Sequence, residues 1–572
     1  ESDITEGGFA LGQACFSPRG THVVYTAWDA GGGGEMKRRL GIEYCFNRPS
    51  KIYASPIKNA LECLSQCSDA LPIDTGWADG PCKCLTSMSR VSRSPRFSPV
   101  KDGMSKLCFL ASKLGFDTHD GCMALYALDW DVKRGAPYQG HRVLIDQVLE
   151  PPALDKDHDV QVANMGFPGL YVKELPLQCC TPDYVLTTTQ WGSVKKLVRI
   201  ALEDGKLSLV NVDIIRSTGQ GTDELASQEL LAVTPNGGAV ISESAPNCPA
   251  IIGSVSPAAL SRHNVSGRVE ATVVADMGPI SASSFCPIHE KVISSKLNFM
   301  YDILTIRPEE IECHVGTPVQ WILYRPKPRK DGVLPPLIVV PHGGPHSCSP
   351  TLYSHPHAFL CASGYAVLMV NYRGSTGFGQ HALEALPGNV GKLDVQDVID
   401  AVTKIADSEW IDANRVGICG GSHGGFLAAH CLGRYPELFK AGALRNPVIN
   451  IASMVTTTDI PDWCFVETLG CGSYKYNQYR MPNQKELNAM WEASPAQYAS
   501  KVVTPTLVAL GMSDRRVPAS QGLDFYYTLR ANGVKSKLLM YDDDNHAIDQ
   551  VCSEADHWIN IKRWFDEYLC NE

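Results

Sequence analysis

The sequence predicts two domains, an all-β domain over residues 1–296 followed by a doubly wound, mostly parallel α/β domain over residues 297–572. At 572 residues the chain is too long for a single hydrophobic core. In the first half, short apolar runs follow turns rich in Ser, Thr and Pro, which indicates strands. In the second half, continuous apolar runs alternate with segments of helical periodicity, the pattern of a parallel sheet covered by helices.

Four stretches of the first half repeat one order of features: a Ser/Thr-Pro turn, then polar or glycine residues, then an apolar strand. They are FSPRGTHVVYTAW from Phe16, FSPVKDGMSKLCFLA from Phe97, CTPDYVLTTTQW from Cys180 and VTPNGGAVI from Val233. Recurring units of this kind build propeller blades. The spacing between the turn prolines is irregular, so a β-sandwich stays open on the pattern alone. We expect a propeller-like domain of about four blade-like units, which is an incomplete propeller.

The second half contains five apolar β runs, at residues 337–340, 366–371, 415–419, 506–510 and 537–541. Between them, apolar residues recur at helical spacing at Val395, Val398, Ile399, Val402, Ile405 and Ala406. The chain closes on a helix that carries Ile561, Trp564, Phe565 and Tyr568. In a doubly wound sheet the active residues lie in the loops after the carboxyl ends of the strands, so those loops are the place to search.

Charge and hydropathy exclude several classes of partner. The net charge is -10 and the sequence pI is near 5.9, without a basic stripe, so we expect no nucleic-acid partner. The one short basic run, KPRK at 327–330, is typical of a solvated loop. No stretch approaches 18 uninterrupted apolar residues and the first residues lack a signal-peptide pattern, so we expect no membrane association and a cytoplasmic location.

The cysteines and the glycine-rich loops indicate neither a metal nor a cofactor. The 21 cysteines are scattered and several lie in apolar settings, which favours reduced thiols over a disulfide framework. Cys63, Cys67, Cys82 and Cys84 do not have the spacing of a zinc knuckle, because one residue separates the last pair. GSTGFG from Gly374 lacks both the Lys-Ser/Thr ending and the spacing of a nucleotide-binding loop.

One glycine-rich segment carries a candidate nucleophile. The strand RVGIC runs into Gly420-Gly421-Ser422-His423-Gly424 and then into the helical FLAAH. This GxSxG pattern between a strand and a helix is typical of the nucleophile elbow of α/β hydrolases. A serine held in a strained turn needs neighbours without Cβ atoms, and Gly420 and Gly424 are the positions where side chains would collide.

A serine hydroxyl needs a base, and the base needs an orienting carboxylate. In α/β hydrolases these follow the serine in the order Asp, then His. The strand TLVAL ends in GMSDRRVP and places Asp514 in a loop, and the strand KLLMY ends in DDDNHAID and places His546 in another. We therefore predict Ser422, Asp514 and His546 as the catalytic triad. The competing carboxylates are expected to be solvated on the histidine's own loop; they are Asp542, Asp543, Asp544 and Asp549.

Acyl transfer also needs hydrogen-bond donors for the tetrahedral oxyanion. The backbone N–H of His423, which follows the nucleophile, is one candidate. The second should come from the loop after an early strand, and LIVV leads directly into PHGGP. We predict the N–H of Gly344 as the second donor, with Gly343 the next choice. The side chains of His342, His423 and His430 are interpreted as loop-shaping, packing or surface groups.

The long motifs of the second domain resemble those of the prolyl oligopeptidase superfamily of serine peptidases and, within it, the acylaminoacyl peptidases. They are HGGPHS at 342–347, NYRGSTGFGQ at 371–380, LPGNVG at 386–391, GGSHGG at 420–425, RNPVINIASM at 445–454, TDIPDWC at 458–464 and DRRVP at 514–518. The first domain resembles the family's propeller more loosely, through GIEYCFNRPSKIY at 41–53 and ELPLQCCTPD at 174–183.

The resemblance implies a cytosolic serine exopeptidase that removes an N-acylated, typically N-acetylated, amino acid from short blocked peptides. It also implies an acyl-enzyme on Ser422, a propeller that restricts access to short peptides, and a homo-oligomer. The chain departs from the family at its front, where the family has seven blades preceded by an extension. The segment at 65–84 is interpreted as an insertion within a blade. An open propeller would expose blade edges and weaken the size filter.

Two other functions stay open on the residues alone. The same triad would serve a general esterase or another oligopeptidase of the superfamily. A dipeptidyl-peptidase specificity would need a carboxylate pair to hold a free amino terminus, and Glu309 and Glu310 lie at the domain junction instead. An incomplete propeller could also serve as a non-catalytic binding scaffold, although an intact triad argues against a decayed site.

Overall fold

The structure is a computed structural model. It describes residues 9–29, 49–57, 83–89, 91–112, 118–152, 165–214, 225–261, 269–276, 299–306, 319–475 and 480–570. The chain divides into two compact units, a first composed of Glu1–Glu243, Ala250–Asp276 and Lys475–Tyr479, and a second composed of Ser244–Pro249, Met277–Tyr474 and Arg480–Glu572. The predicted domain boundary after residue 296 lies outside the described residues and stays a prediction. Within the described ranges, no helix is both long and apolar enough to cross a membrane.

In the residues that the structure describes, the first unit contains four sheets of mainly antiparallel strands. The first sheet contains β1 (Phe9–Phe16), β2 (His22–Asp29), β3 (Ser50–Pro56) and β4 (Lys83–Cys84). The second contains β5 (Val91–Phe97), β6 (Met104–Ser112), β7 (Ala124–Asp131), β8 (Ala136–Pro137) and β9 (Arg142–Ile145). The third contains β10 (Tyr184–Trp191), β11 (Val194–Ala201) and β12 (Leu207–Val210). The fourth contains β13 (Val212–Ile214), β14 (Ser227–Val233), β15 (Ala239–Ala245), β16 (Cys248–Val255) and β17 (Val269–Asp276), in the order β13-β17-β16-β15-β14.

Each of the four turn-and-strand stretches that the sequence singled out forms a strand of a different sheet: β2, β6, β10 and β15. Apolar side chains of the first two sheets pack together, with Val24 and Ile52 of the first against Phe109 and Trp130 of the second. The predicted all-β, propeller-like class of this unit is therefore confirmed. Of the predicted insertion at 65–84, the structure describes only the last two residues, which form β4.

The second unit is built on an eight-stranded sheet in the order β18-β19-β21-β20-β22-β23-β24-β25. Its strands are β18 (Met300–Ile306), β19 (Val319–Arg325), β20 (Pro336–Pro341), β21 (Ala366–Asn371), β22 (Asp412–Gly421), β23 (Ala441–Arg445), β24 (Thr506–Gly511) and β25 (Ser536–Tyr541). The strands from β20 to β25 pair in parallel, whereas β18 and β19 add an antiparallel edge. All five predicted apolar runs lie in strands of this sheet. The sequence pattern missed β18, β19 and β23.

Helices connect the parallel strands of this unit. They are α2 (His355–Ala362), α3 (Gln380–Glu384), α4 (Leu393–Ala406), α5 (His423–Arg434), α6 (Ile451–Met454), α7 (Pro461–Leu469), α8 (Gln484–Glu492), α9 (Ser520–Ala531) and α10 (Val551–Phe565), after a short α1 (Pro257–Ser261) in the first unit. A 3₁₀ segment covers Pro495–Lys501, and a π-helical turn, Asp566–Cys570, follows α10. The buried strand residues Ile338, Val367 and Leu507 pack with Trp564 and Phe565 of α10 in one core.

Candidate active site

Ser422 lies in the sharp turn between β22 and α5, with backbone angles φ 57° and ψ -122°. Positive φ is uncommon for a residue with a Cβ atom and is a place where strain is stored at functional sites. The turn is held by hydrogen bonds at both ends: the Ser422 N–H donates to Arg445 O at 3.0 Å, and the Phe426 N–H donates to Ser422 O at 3.0 Å. The segment has the geometry of a nucleophile elbow.

The glycines beside Ser422 are sterically required. A Cβ atom at Gly420 would lie 2.1 Å from Gly424 O, and a Cβ atom at Gly424 would lie 2.2 Å from Pro341 O. Contacts this short between a side chain and backbone leave no room for any other residue. The turn is therefore compact only because these positions lack side chains, which is the reason the sequence pattern indicated.

Asp514 and His546 are in contact. Asp514 follows β24 and His546 follows β25, and His546 Nδ1 lies 2.6 Å from Asp514 Oδ2. The other oxygen of Asp514 accepts the backbone N–H groups of Arg516 at 2.8 Å and Val517 at 3.0 Å. Since a carboxylate only accepts hydrogen bonds, Nδ1 is the donor of this bond, and Nε2 is the proton acceptor whenever the imidazole is neutral. The Asp514 side chain is fully buried, whereas that of His546 is 20% exposed, as a base that must meet a substrate requires.

The last residue of β23 and the residue after it link the serine turn to the histidine loop. Arg445 accepts the Ser422 N–H and its Nη1 donates to Ala547 O at 3.3 Å. Asn446 Nδ2 donates to His546 O at 3.0 Å, while Asn446 Oδ1 accepts the Gly511 N–H at 2.9 Å. Asn446 therefore fixes the loop that holds His546. The sequence reasoning assigned no role to it, because its contacts are with residues far along the chain.

Ser422 is partly buried, and its hydroxyl has no hydrogen-bond partner in the part of the chain that the structure describes. The structure thus brings Asp514 and His546 into direct contact, but it does not join Ser422 Oγ to His546 Nε2 by a hydrogen bond. Such bonds are often long before substrate binds and tighten in the complex.

The loop after β20 lies against the serine turn. A Cβ atom at Gly343 would be 3.2 Å from Gly421 O and 3.4 Å from Ser422 Cβ. Gly344 has φ +126°, a conformation that L side chains rarely adopt. Among the described residues, neither the Gly344 N–H nor the His423 N–H donates to an acceptor, so both are available to a bound oxyanion.

His342 holds this loop in place. Its Nδ1 lies 2.7 Å from Gly343 O, and its Nε2 lies 2.8 Å from Ser375 Oγ. The Tyr372 hydroxyl donates to His342 O at 2.8 Å, and its ring stacks on the imidazole at a centroid distance of 4.3 Å. Burial lowers the pKa of His342 to about 4, so the ring is neutral near pH 7. These contacts are those of a loop-shaping residue.

The histidine side chains on α5 are packing groups. His423 is buried and its Nε2 lies 2.9 Å from the buried carboxylate of Asp394 on α4. His430 is buried and its Nε2 donates to Ala493 O at 3.0 Å. Burial lowers the pKa of His430 to about 4.

One expectation about the acidic residues near His546 is wrong. Asp542, Asp543 and Asp549 are exposed, but Asp544 is buried rather than solvated. Its carboxylate accepts the Gln550 N–H at 3.2 Å, and its carbonyl accepts the Ser513 N–H at 2.9 Å. Asp544 therefore shapes the turn of the histidine loop, because its carboxylate and its carbonyl each accept a backbone N–H of a neighbouring segment.

Within the described ranges, no group of three or more His, Cys, Asp or Glu side chains is arranged to hold a metal ion. Of the cysteines considered as zinc ligands, Cys63, Cys67 and Cys82 lie outside these ranges, and Cys84 is a free thiol in β4.

Two family models match the chain. Residues 351–572 match the model described as "Prolyl oligopeptidase family", and residues 3–254 match "Acylamino-acid-releasing enzyme, N-terminal domain". Acylamino-acid-releasing enzyme 1 of Oryza sativa subsp. japonica is 34% identical over 98% of this chain and 68% of its own length. The acylamino-acid-releasing enzyme of Mus musculus is 33% identical over 98% of this chain and 66% of its own length. The chain therefore spans about two thirds of the length of these relatives.

Solved structures show the same fold at low sequence identity. A puromycin-hydrolyzing peptidase of Mycobacterium tuberculosis superposes with a TM-score of 0.60 at 17% identity, over 99% of this chain and 80% of its own. The acylaminoacyl peptidase of Pyrococcus horikoshii superposes with a TM-score of 0.55 at 14% identity, over 98% of this chain and 89% of its own. These likenesses confirm the predicted class, an α/β-hydrolase domain together with an all-β, propeller-like domain.

Proposed function

The chain belongs to the acylamino-acid-releasing enzymes of the prolyl oligopeptidase family of serine peptidases, and from this premise we propose that it releases an N-acylated, typically N-acetylated, amino acid from the amino terminus of short blocked peptides. One observation carries the chemistry: the 2.6 Å contact between His546 and the buried Asp514, at the carboxyl end of the sheet that also presents Ser422 on its elbow. The relatives of about one-third identity support the substrate class.

In the proposed mechanism, Ser422 Oγ attacks the carbonyl carbon of the acylated residue while His546 Nε2 takes the hydroxyl proton. Asp514 keeps the imidazole in the tautomer that can accept this proton and stabilises the imidazolium that forms. The N–H groups of His423 and Gly344 bind the oxyanion of the tetrahedral intermediate. His546 then protonates the leaving peptide amine, and an ester remains on Ser422.

Water completes the cycle. His546 removes a proton from the attacking water, a second tetrahedral intermediate forms against the same two donors, and its collapse returns the proton to Ser422 Oγ. The products are the N-acylated amino acid and a peptide that is shorter by one residue. A blocked amino terminus carries no charge, so this chemistry needs no carboxylate pair to bind an ammonium group.

The test compares three chromogenic substrates: N-acetyl-alanyl p-nitroanilide, alanyl p-nitroanilide with a free amine, and a p-nitrophenyl ester. The variants are wild type, Ser422→Ala, and Ser520→Ala as a control, because Ser520 is an exposed serine of α9 in the same unit. We expect cleavage of the acetylated anilide, little cleavage of the free-amine anilide, and loss of activity only in Ser422→Ala.

Other outcomes of the same test select the alternatives. Cleavage of the ester without the acetylated anilide would indicate a general esterase, and preference for the free amine would indicate a different oligopeptidase. A folded wild-type chain that turns over none of the three would favour a binding scaffold. The predicted homo-oligomeric state and cytoplasmic location stay predictions, and light scattering of the purified protein would measure the first.

A further inference from the structure

Helix α7 (Pro461–Leu469) contacts the loop that carries the second oxyanion donor at two points. The indole Nε1–H of Trp463 donates to Gly344 O at 3.0 Å. One helical turn further on, a carboxylate oxygen of Glu467 lies 3.0 Å from His346 Nε2. The helix and the loop are more than 100 residues apart in sequence, with separations of 119 and 121 residues for the two contacts.

The two contacts come from one face of helix α7. Residues four apart on a helix lie on one face and are separated by about 6 Å along its axis. Gly344 and His346 flank Pro345, so Trp463 and Glu467 engage the loop on both sides of that residue.

Both contacts are shielded from water. Trp463 is 8% exposed, and the side chains of His346 and Glu467 are 0% and 1% exposed. His346 also directs Nδ1 at Gly374 O, 2.9 Å away, so its ring cannot rotate without the loss of a second bond. Breaking a buried hydrogen bond or ion pair costs more than breaking an exposed one, because the partner is left unsatisfied.

The contact with Trp463 restricts the backbone at Gly344, whose N–H is the proposed second oxyanion donor. Gly344 adopts φ +126°, and a glycine in this region has wide conformational freedom unless its neighbours restrict it. The carbonyl and the N–H of Gly344 belong to adjacent peptide units that meet at its Cα atom, so a fixed carbonyl holds one of the two units whose rotation could turn the N–H away. Donors that are oriented in advance are the ones that stabilise an oxyanion. The Trp463 ring also meets the His423 ring edge-on at 5.9 Å, so one side chain touches both residues whose N–H groups are the proposed donors.

We propose that Trp463 and Glu467 are positioning residues that hold the oxyanion-binding loop in its active conformation. The proposal rests on the proposed function of the site as an acyl-transfer centre. Neither residue takes part in a covalent step. Their effect is on the transition state, which carries the oxyanion, and not on the ground-state complex, which does not.

The decisive variant is Trp463→Phe, which keeps an aromatic ring and removes the N–H donor. The matched control is Trp564→Phe, since Trp564 is similarly buried at 7% exposure in the same unit and its Nε1 has no hydrogen-bond partner among the residues that the structure describes. We measure kcat and KM on both N-acetyl-alanyl p-nitroanilide and a p-nitrophenyl ester. We also measure the inhibition constant of N-acetyl-alanine boronic acid, which forms a tetrahedral adduct on the serine.

We expect Trp463→Phe to lower kcat about 10-fold to 100-fold with KM within about twofold of wild type. The inhibition constant of the boronic acid should rise by the same factor as kcat falls, whereas Trp564→Phe should change neither. A change in KM alone, an unchanged inhibition constant, or equal effects of the two Trp variants would overturn the proposal.

Glu467→Gln provides a second variant, because it retains an oxygen acceptor and the side-chain volume. The double variant with Trp463→Phe should lose less activity than the product of the two single losses, since both residues hold the same loop. Losses that multiply would show independent effects and would contradict the proposal. If wild type cleaves the ester and not the acetylated anilide, the proposed exopeptidase activity fails, and the comparison on the ester still decides the role of Trp463.

Discussion

His342→Ala is the perturbation whose effect follows most directly from the geometry. The His342 ring donates from Nδ1 to Gly343 O at 2.7 Å. Gly343 O and the Gly344 N–H belong to the same planar peptide unit, and in a trans peptide they point in opposite directions. The imidazole therefore determines where the proposed oxyanion donor points, and its removal leaves that peptide free to turn.

The expected loss of kcat is limited by the transition-state stabilisation that one oxyanion donor supplies. Loss of such a donor lowers kcat by about 100-fold to 1000-fold, which corresponds to about 2.7–4 kcal/mol of transition-state stabilisation. KM should change little, because the substrate carbonyl has no developed charge in the ground state. We therefore expect His342→Ala to lower kcat/KM by about this factor through kcat.

The assay compares His342→Ala with His430→Ala. His430 is also a buried histidine whose ring donates to a backbone carbonyl, Ala493 O, at 3.0 Å, but its partner is remote from the oxyanion-binding loop. Both variants lose a buried ring, and thermal unfolding measures how much stability each loses. If the two variants retain similar kcat, or if His342→Ala keeps kcat/KM within about threefold of wild type, the orientation argument is wrong.

Three further predictions follow from the same site. Asp514→Asn should lower kcat about 10⁴-fold with the fold intact, because the amide favours the wrong imidazole tautomer. Steady-state kinetics measure the loss, and circular dichroism checks that the variant is folded. A loss below tenfold would remove Asp514 from the proposed triad. Gly420→Ala should abolish activity and lower the unfolding temperature, because the added Cβ atom would lie 2.1 Å from Gly424 O. The control is Gly140→Ala, which tests the cost of an added methyl group alone, since neither glycine has positive φ and no atom of the described residues lies within 4 Å of a Cβ atom at Gly140. The free energy of unfolding should fall as the pH drops below about 6.5, because burial lowers the pKa of His430 from its ordinary value of 6.5 to about 4. Between these pH values the unfolded chain binds more protons than the folded chain, which lowers the stability by about 2 kcal/mol at pH 5 through this group. Urea unfolding from pH 7 to pH 5 measures the change, and an unchanged midpoint would contradict the prediction.

The sequence by itself determined the fold class and the candidate triad. Continuous apolar runs identify buried parallel strands because both faces of such a strand are covered, and the active loops follow at their carboxyl ends. The turn at Ser422 admits no Cβ atom at Gly420 or Gly424, so both positions must be glycine. The sequence therefore shows this steric requirement directly. The order of Ser422, Asp514 and His546 along the chain matches the order of the triad in α/β hydrolases, and this match can be recognised without a structure.

Tertiary structure decided which residues support the triad. Asn446 and Trp463 lie within the motifs at 445–454 and 458–464, but no local pattern assigns a role to them or to Glu467, because their partners lie on segments that only the folded chain brings together. The same reason explains the error at Asp544: a run of three aspartates predicts a solvated loop, and only the turn of that loop buries one of them against the Gln550 N–H. Hydrophobic periodicity and the steric need for glycine can be recognised from the order of the residues. A hydrogen bond between distant segments depends on distances that exist only in the folded chain.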